Sequence, residues 1–215
     1  MADDLKYGYK GAEPTQSFGN NTGVFDPNDI NNLIADNKWT TFGQLELIET
    51  KTVSAVSSVD FETLGSYNVH FLTWNDLKIG TSAGNYLQLR FSNNGGTSYI
   101  ASGYQVAMQY GGNNGSFGDT TRSTSANSIT YLSYSNTTTS NANQNGYLYL
   151  YNLLDSSKYS FLTSHSFNQS TSTVAYFYFG SGVLPTAETH NAFQLLLSGG
   201  ATISGTISLY GIRYS

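Results

Sequence analysis

The sequence predicts an all-β protein, an antiparallel β-sandwich of jelly-roll-like type with an extended N-terminal arm and one short helix. Three observations carry this. The composition, with 22 Gly, 17 Tyr and 12 Phe against 2 Met and 3 Pro, is that of many short strands separated by turns. From Phe42 onward, short runs of alternating apolar and polar residues recur at close spacing, which suits two packed layers better than one open sheet. Only one segment has helical periodicity. At 215 residues the chain fits one core plus a short appendage.

Taken in order, residues 1 to about 25 are rich in Gly, Asn and polar residues, with neither strand nor helix period, and read as an arm that cannot form a core alone. The helix follows, from Asp26 to about Lys38 or Trp39. Asp26 can cap it, Pro27 suits its first turn, and Asp29 complements its positive end. Ile30, Leu33 and Ile34 share one face. So short a helix is marginal in water and needs a surface to dock on, in its own domain or in another chain. Residues 1–42 are therefore read as an attachment arm with a helix over 26–38, and residues 43–215 as the β-sandwich.

In the sandwich, Gln44–Thr52 sets Leu45 and Leu47 on one face, and Tyr67–Trp74 sets Tyr67, Val69 and Phe71 against Asn68, His70 and Leu72. Further strands are predicted at Asn85–Ser92, Ser98–Tyr110, Ser128–Tyr134, Gly146–Leu154, Lys158–Ser164, Thr173–Phe179, Ala192–Leu197 and Thr202–Tyr214. Asn93-Asn94-Gly95-Gly96 and Asn145-Gly146 read as hairpin turns. Gly111–Ala126 and Ser135–Asn145, polar and low in complexity, read as exposed loops where recognition would reside.

Charge narrows the chemistry. Ten of the fourteen carboxylates precede residue 63, leaving Asp76, Asp119, Asp155 and Glu188 in the long remainder. Paired-carboxylate catalysis has only those four to draw on, and Asp119 and Asp155 already suit turns. His70, His165 and His190 are far apart, without metal-ligand spacing. No Gly-x-Ser-x-Gly elbow occurs, Ser198-Gly199-Gly200 reads as a turn, and no stretch has the carboxylate density of a calcium loop. The expectation is a protein that is not an enzyme and has no cofactor and no metal.

With no cysteine, disulfides and thiolate chemistry are excluded. A net charge of −5 without a basic cluster argues against nucleic acid. No apolar run approaches the ~20 residues of a membrane span, so no membrane insertion is expected. Met1 opens an acidic segment in place of a signal peptide, and the chain is expected to be made as a soluble cytoplasmic protein.

The aromatic residues are the remaining clue. Tyr147, Tyr149 and Tyr151 fall on one strand face while Leu148 and Leu150 take the other, and Tyr176 and Tyr178 likewise oppose Phe177 and Phe179. Two apolar faces on one strand imply half-exposed sheet aromatics, a subunit interface, or a ligand platform such as a sugar-stacking surface.

Several segments resemble the small β-sandwich structural proteins of tailed bacteriophages, particularly marine phages. They are Gly23-Val24-Phe25-Asp26-Pro27-Asn28-Asp29-Ile30 with Asp36-Asn37-Lys38-Trp39, then Gly43-Gln44-Leu45-Glu46-Leu47-Ile48 and Val59-Asp60-Phe61. Tyr67-Asn68-Val69-His70-Phe71-Leu72, Leu87-Gln88-Leu89-Arg90-Phe91-Ser92 and Gly205-Thr206-Ile207-Ser208-Leu209-Tyr210-Gly211-Ile212 complete the set. The resemblance implies a non-enzymatic virion component, often a homotrimer, anchored by its N-terminal segment to other virion proteins and projecting its β domain. No heptads or collagen-like repeats precede the domain, which favours a short tail appendage, fibre tip or capsid spike over a long fibre. A tip would contact a host surface glycan or protein, a capsid decoration protein would stabilise the shell, and a carbohydrate-active depolymerase is the third reading. Attachment would rest on Phe18, Val24, Phe25, Ile30, Leu33, Ile34 and Trp39; Tyr147, Tyr149 and Tyr151 would form the oligomer or ligand face.

Overall fold

The computed structural model describes residues 27–35, 44–79, 84–135, 143–169 and 174–213. The chain divides into two units, residues 1–43 and 44–214. In the first, the described part is helix α1, Pro27–Ala35. Ile30 and Leu33 are half-buried there and Ile34 is 56% exposed. Phe18, Val24, Phe25 and Trp39, and the predicted arm and cap, lie outside the described residues.

The second unit is an antiparallel two-sheet sandwich. Its strands are β1 Gln44–Val56, β2 Ser58–Phe61, β3 Val69–Ile79, β4 Asn85–Ser92, β5 Tyr104–Gly112 and β6 Phe117–Ala126. They continue with β7 Tyr134–Ser135, β8 Gln144–Tyr151, β9 Ser160–Gln169, β10 Ala175–Leu184, β11 Ala192–Leu197 and β12 Ile203–Arg213. Eight form one sheet in the order β1-β12-β3-β8-β9-β10-β5-β6, and four form the other, β2-β11-β4-β7. The pairing is nested. β1 pairs β12 while β2 pairs β11 in the facing sheet, and β3 pairs β8 while β4 pairs β7. Such two-stranded ribbons folded across both layers give the sandwich its jelly-roll character.

Alternation decides which side chains meet between the layers. From the small sheet come Val59, Phe61, Leu87, Leu89, Phe91, Phe193, Leu195 and Leu197; from the large one, Leu72, Leu148, Leu150, Leu162, Val106, Met108, Ile207 and Leu209. Phe61 and Phe193, register partners, stack at 5.0 Å. The buried hydroxyl of Tyr104 donates to Ile100 O and accepts from Phe91 N, so a polar tip enters the core without being orphaned.

The structure corrects four readings. Gly111–Ala126 is not a loop: β5 runs to Gly112, a short turn follows, and β6 occupies Phe117–Ala126. Among the described residues β6 is an edge strand paired with β5 alone, and it buries no residue, so it has no apolar face to announce it. Asn145-Gly146 is not a turn but lies inside β8. Ser128–Tyr134 is mostly irregular, joined to β4 at Ile129↔Leu89 before β7 begins. The four-residue β2 was not predicted, being too short to show a period.

The first and last strands of the unit are pinned together. Arg213 donates from Nε to Glu46 Oε1 at 2.7 Å and from Nη2 to Oε2 at 3.0 Å, and the Tyr67 hydroxyl also donates to Glu46 Oε2. These bonds hold the Glu46 carboxyl below its usual range, Tyr67 first and Arg213 next. The Tyr67 ring lies on Gly211, where a Cβ would come within 2.3 Å of it. Gly211→Ala is therefore expected to displace Tyr67, break its bond to Glu46 and lower unfolding stability by about 1–3 kcal/mol, measured by chemical denaturation. An unchanged midpoint would show that the ring is not packed there.

Candidate functional site

The most unusual strand is β9. Its inward residues are Ser160, Leu162, Ser164, Ser166 and Asn168, all buried, while Phe161, Thr163, His165 and Phe167 point outward and are exposed. β9 thus turns its aromatic rings away from the core and its polar residues toward it. The register of its neighbours fixes this: β8 buries Leu148 and Leu150, and Leu148↔Ser164 and Leu150↔Leu162 are cross-strand partners on that inner face.

The same orientation holds across the large sheet. Tyr147, Tyr149 and Tyr151, predicted to share a face, do share the outer one and pair with His165, Thr163 and Phe161. Phe71 and Tyr210 join from β3 and β12, and Phe177 and Phe179 from β10. The rings form a continuous chain: Tyr210 to Phe71 6.2 Å, Phe71 to Tyr149 4.9 Å and to Tyr147 5.8 Å, Tyr147 to His165 5.7 Å, His165 to Phe177 6.4 Å, and Phe177 to Phe179 6.0 Å. Leu45 and Leu47 extend the face onto β1, with Leu47 60% exposed.

Between Thr206–Ile212 of β12 and Gln105–Gly111 of β5, the outward positions of β12, β3, β8, β9, β10 and β5 hold no Asp, Glu, Lys or Arg. Charge appears at the borders: Lys78 beyond the β3 bulge, and Asp119 with Arg122, 3.1 Å apart, on β6. Two shallow grooves cross the face. One, of about 350 Å³, runs among Phe71, Thr73, Tyr147, His165 and Phe167; the other, of about 400 Å³, runs among Ala107, Gln109, Asp119, Arg122 and Phe179.

The carboxylates considered for catalysis do not pair with one another. At a bulge the Asp76 carboxylate accepts from Asn143 while its backbone N–H donates to Asn145 Oδ1, Asp119 binds Arg122 and Gln109, and Asp155 caps its turn through Ser157 and Lys158. Those bonds, Lys158 first, hold Asp155 well below the usual carboxylate range. Glu188 accepts from Asn93 and faces His190. Among the described residues no cluster of His, Asp and Glu could hold a metal, and no helix is long and apolar enough to cross a membrane.

A serine–histidine–glutamate arrangement that the sequence did not reveal occurs at Ser160, His190 and Glu188. Ser160 Oγ is 2.7 Å from His190 Nδ1, and Glu188 Oε1 is 3.3 Å from Nε2, off the line a hydrogen bond needs. Both Ser160 and His190 are 0% exposed, and His190 also donates its backbone N–H to Leu153 O at 2.6 Å and packs on Phe91. A nucleophile must reach its substrate, and this hydroxyl is enclosed. The cluster instead ties the β10–β11 connection to β9 and to the turn after β8. His70, also 0% exposed, bonds Leu64 O at 2.8 Å.

Compared with protein families and with curated proteins, the sequence matches none.

Burial lowers the proton affinity of both His70 and His190, outweighing the carbonyl of Leu64 and the carboxylate of Glu188. Each holds a proton less tightly in the fold than in the unfolded chain, where the ordinary value is 6.5. Their contribution is complete above that pH and falls as pH drops through it, by at most about 1.4 kcal/mol per histidine one pH unit below. Urea midpoints should therefore fall between pH 7.5 and 5.5, and fall less in His190→Asn. An identical loss in that variant would remove His190 from this role.

Proposed function

We propose that the chain is a non-enzymatic structural component of a tailed-phage virion, anchored by its N-terminal segment. The sandwich assembles with copies of itself, as a trimer, through the outer face of the large sheet, and projects as a tail appendage or fibre tip. The observation that carries the assembly part is the inverted strand β9, at the centre of an uncharged aromatic face. Exposed apolar patches beyond a few hundred Å² are rare on monomers and mark interaction surfaces. A face without fixed charge favours a second copy of the same chain, because two identical charged surfaces of a −5 chain would repel. The virion part is supported by the sequence resemblance spanning most of the chain.

The face also has the makings of a sugar platform, since rings beside Gln109, Asp119 and Arg122 suit a glycan. The assembly reading is preferred because the rings run across five strands, much wider than one sugar subsite.

Sedimentation equilibrium of the full chain is expected to show an oligomer at micromolar concentration. Phe167→Glu with Phe177→Glu should give a folded monomer, because both side chains are already exposed and their loss removes no core packing. A monomeric wild type would overturn the assembly reading. For the virion role, deletion of residues 1–40 should leave a folded domain that no longer enters particles, and normal incorporation would refute anchorage by this segment. Immunogold label on tails supports the appendage; label over heads would make the protein a capsid decoration.

A further inference from the structure

The chain of rings on the outer face passes, at its centre, through a side chain that can carry charge. His165 links the rings of β8 to those of β10: Tyr147 meets it at 5.7 Å and 83°, Phe177 at 6.4 Å and 68°. It is exposed, and among the described residues its imidazole makes these ring contacts without a hydrogen bond or ion pair. Strand register places it in an outward row that runs Thr73, Tyr147, His165, Phe179, Gln109 and Asp119 from β3 to β6. In the other direction the row reaches the β1 edge at Thr50 without meeting a charge. Asp119 is three strands from His165, ~14 Å at ~4.8 Å per strand, and Arg122 already neutralises it. That separation exceeds the ~8–10 Å over which exposed charges act in physiological salt.

The strands packed against it supply no counterion. On this face β8 brings the phenols of Tyr147, Tyr149 and Tyr151, β10 brings Phe177 and Phe179, and β9 itself has no other titratable group. Phenols as a class ionise near pH 10, whereas histidine is the side chain that changes charge between pH 5 and 8. Self-assembly makes this decisive. In a homo-oligomer built on this face, whatever covers His165 belongs to the same charge-free field on a second copy, so no carboxylate arrives to receive an imidazolium. A neutral imidazole packs there as one more ring. A protonated one is an unpaired charge taken out of water, a cost that the surrounding rings do not offset. A partner of different sequence can bring a carboxylate; a second copy of this face cannot.

We infer that His165 gates self-assembly through the outer face: copies associate while its imidazole is neutral and separate when it takes up a proton. This rests on the assembly reading above. Its sign opposes the bulk trend. Acidification makes a chain of net charge −5 less negative and weakens repulsion between copies, so a general charge effect tightens assembly where His165 loosens it. Proton linkage sets the size: each histidine buried neutral lowers the association constant by up to about tenfold per pH unit below ~6.5, so a trimer loses up to about a thousandfold at pH 5.5. Sedimentation equilibrium of the full chain at pH 7.5 and 5.5 tests this, with near-ultraviolet circular dichroism at both to show that the domain, with its buried His70 and His190, stays folded. The wild-type oligomer is expected to dissociate at pH 5.5, while His165→Phe associates equally at both. His165→Gln, polar and uncharged, serves where the phenylalanine variant aggregates. A monomer at pH 7.5 overturns the assembly reading and this inference with it. A wild type equally associated at both pH values, or a variant that dissociates as the wild type does, overturns the gate alone.

Discussion

A pleated strand sends successive side chains to opposite faces, so β9 can bury Phe161, His165 and Phe167 or Ser160, Ser164, Ser166 and Asn168, but never both. Its neighbours make the choice. Leu148 and Leu150 of β8, Leu72 of β3, and Ile207 and Leu209 of β12 all lie inward, and a one-residue slip of β9 would break the ladders on both its sides. The strand accepts polar residues within and rings without. Both unusual features of the domain, the aromatic outer face and the polar residues turned inward, are two sides of this one constraint.

The pinning contacts follow the same geometry at the margins. Because β9 offers Ser160 to the interior, His190 has a hydroxyl partner where the β10–β11 connection passes. At one edge of the sheet β1 has no neighbour beyond it among the described residues, and the Glu46–Arg213–Tyr67 cluster ties its start to the end of β12. Exposed ion pairs contribute little by themselves. This one is bidentate and shares its carboxylate with a tyrosine held against Gly211.

Much of the fold was legible in the sequence. The limits of β4 and β11 match the predicted segments: both keep period 2 over buried leucine and phenylalanine, with mostly polar residues between them in β4 and Gln194 and Leu196 between them in β11. The Tyr147/Tyr149/Tyr151 face was visible for the same reason. β6 was illegible, since an edge strand mostly of Thr, Ser and Gly that buries no residue and reaches the core only at Ala126 has the composition of a loop. Asn145-Gly146 carried a turn signal, but the glycine serves to admit the Trp74 indole from β3, which a Cβ would meet at 2.4 Å, a long-range cause that no local pattern encodes. The polar interior was hidden as well. In Ser-Phe-Leu-Thr-Ser-His-Ser-Phe-Asn the period is plain, but only partner strands decide which half faces in. Ser160, His190 and Glu188 converge from separate elements, and nothing in their spacing announces it.

The nested pairing bears on how the domain is made. β12 lies between β1 and β3, and β11 between β2 and β4, so each of the first four strands needs a partner from the final stretch of the unit. Loop-closure cost falls early in such a search while its contacts arrive late, which makes folding slow. Until β11 and β12 emerge from the ribosome, β1 and β2 have no ladder to join, and the rings of β8, β9 and β10 have emerged before them. The nascent chain therefore passes through a stage with open strand edges and an uncovered aromatic surface together, and it is at this stage that it would depend most on a chaperone or on early capture by another copy.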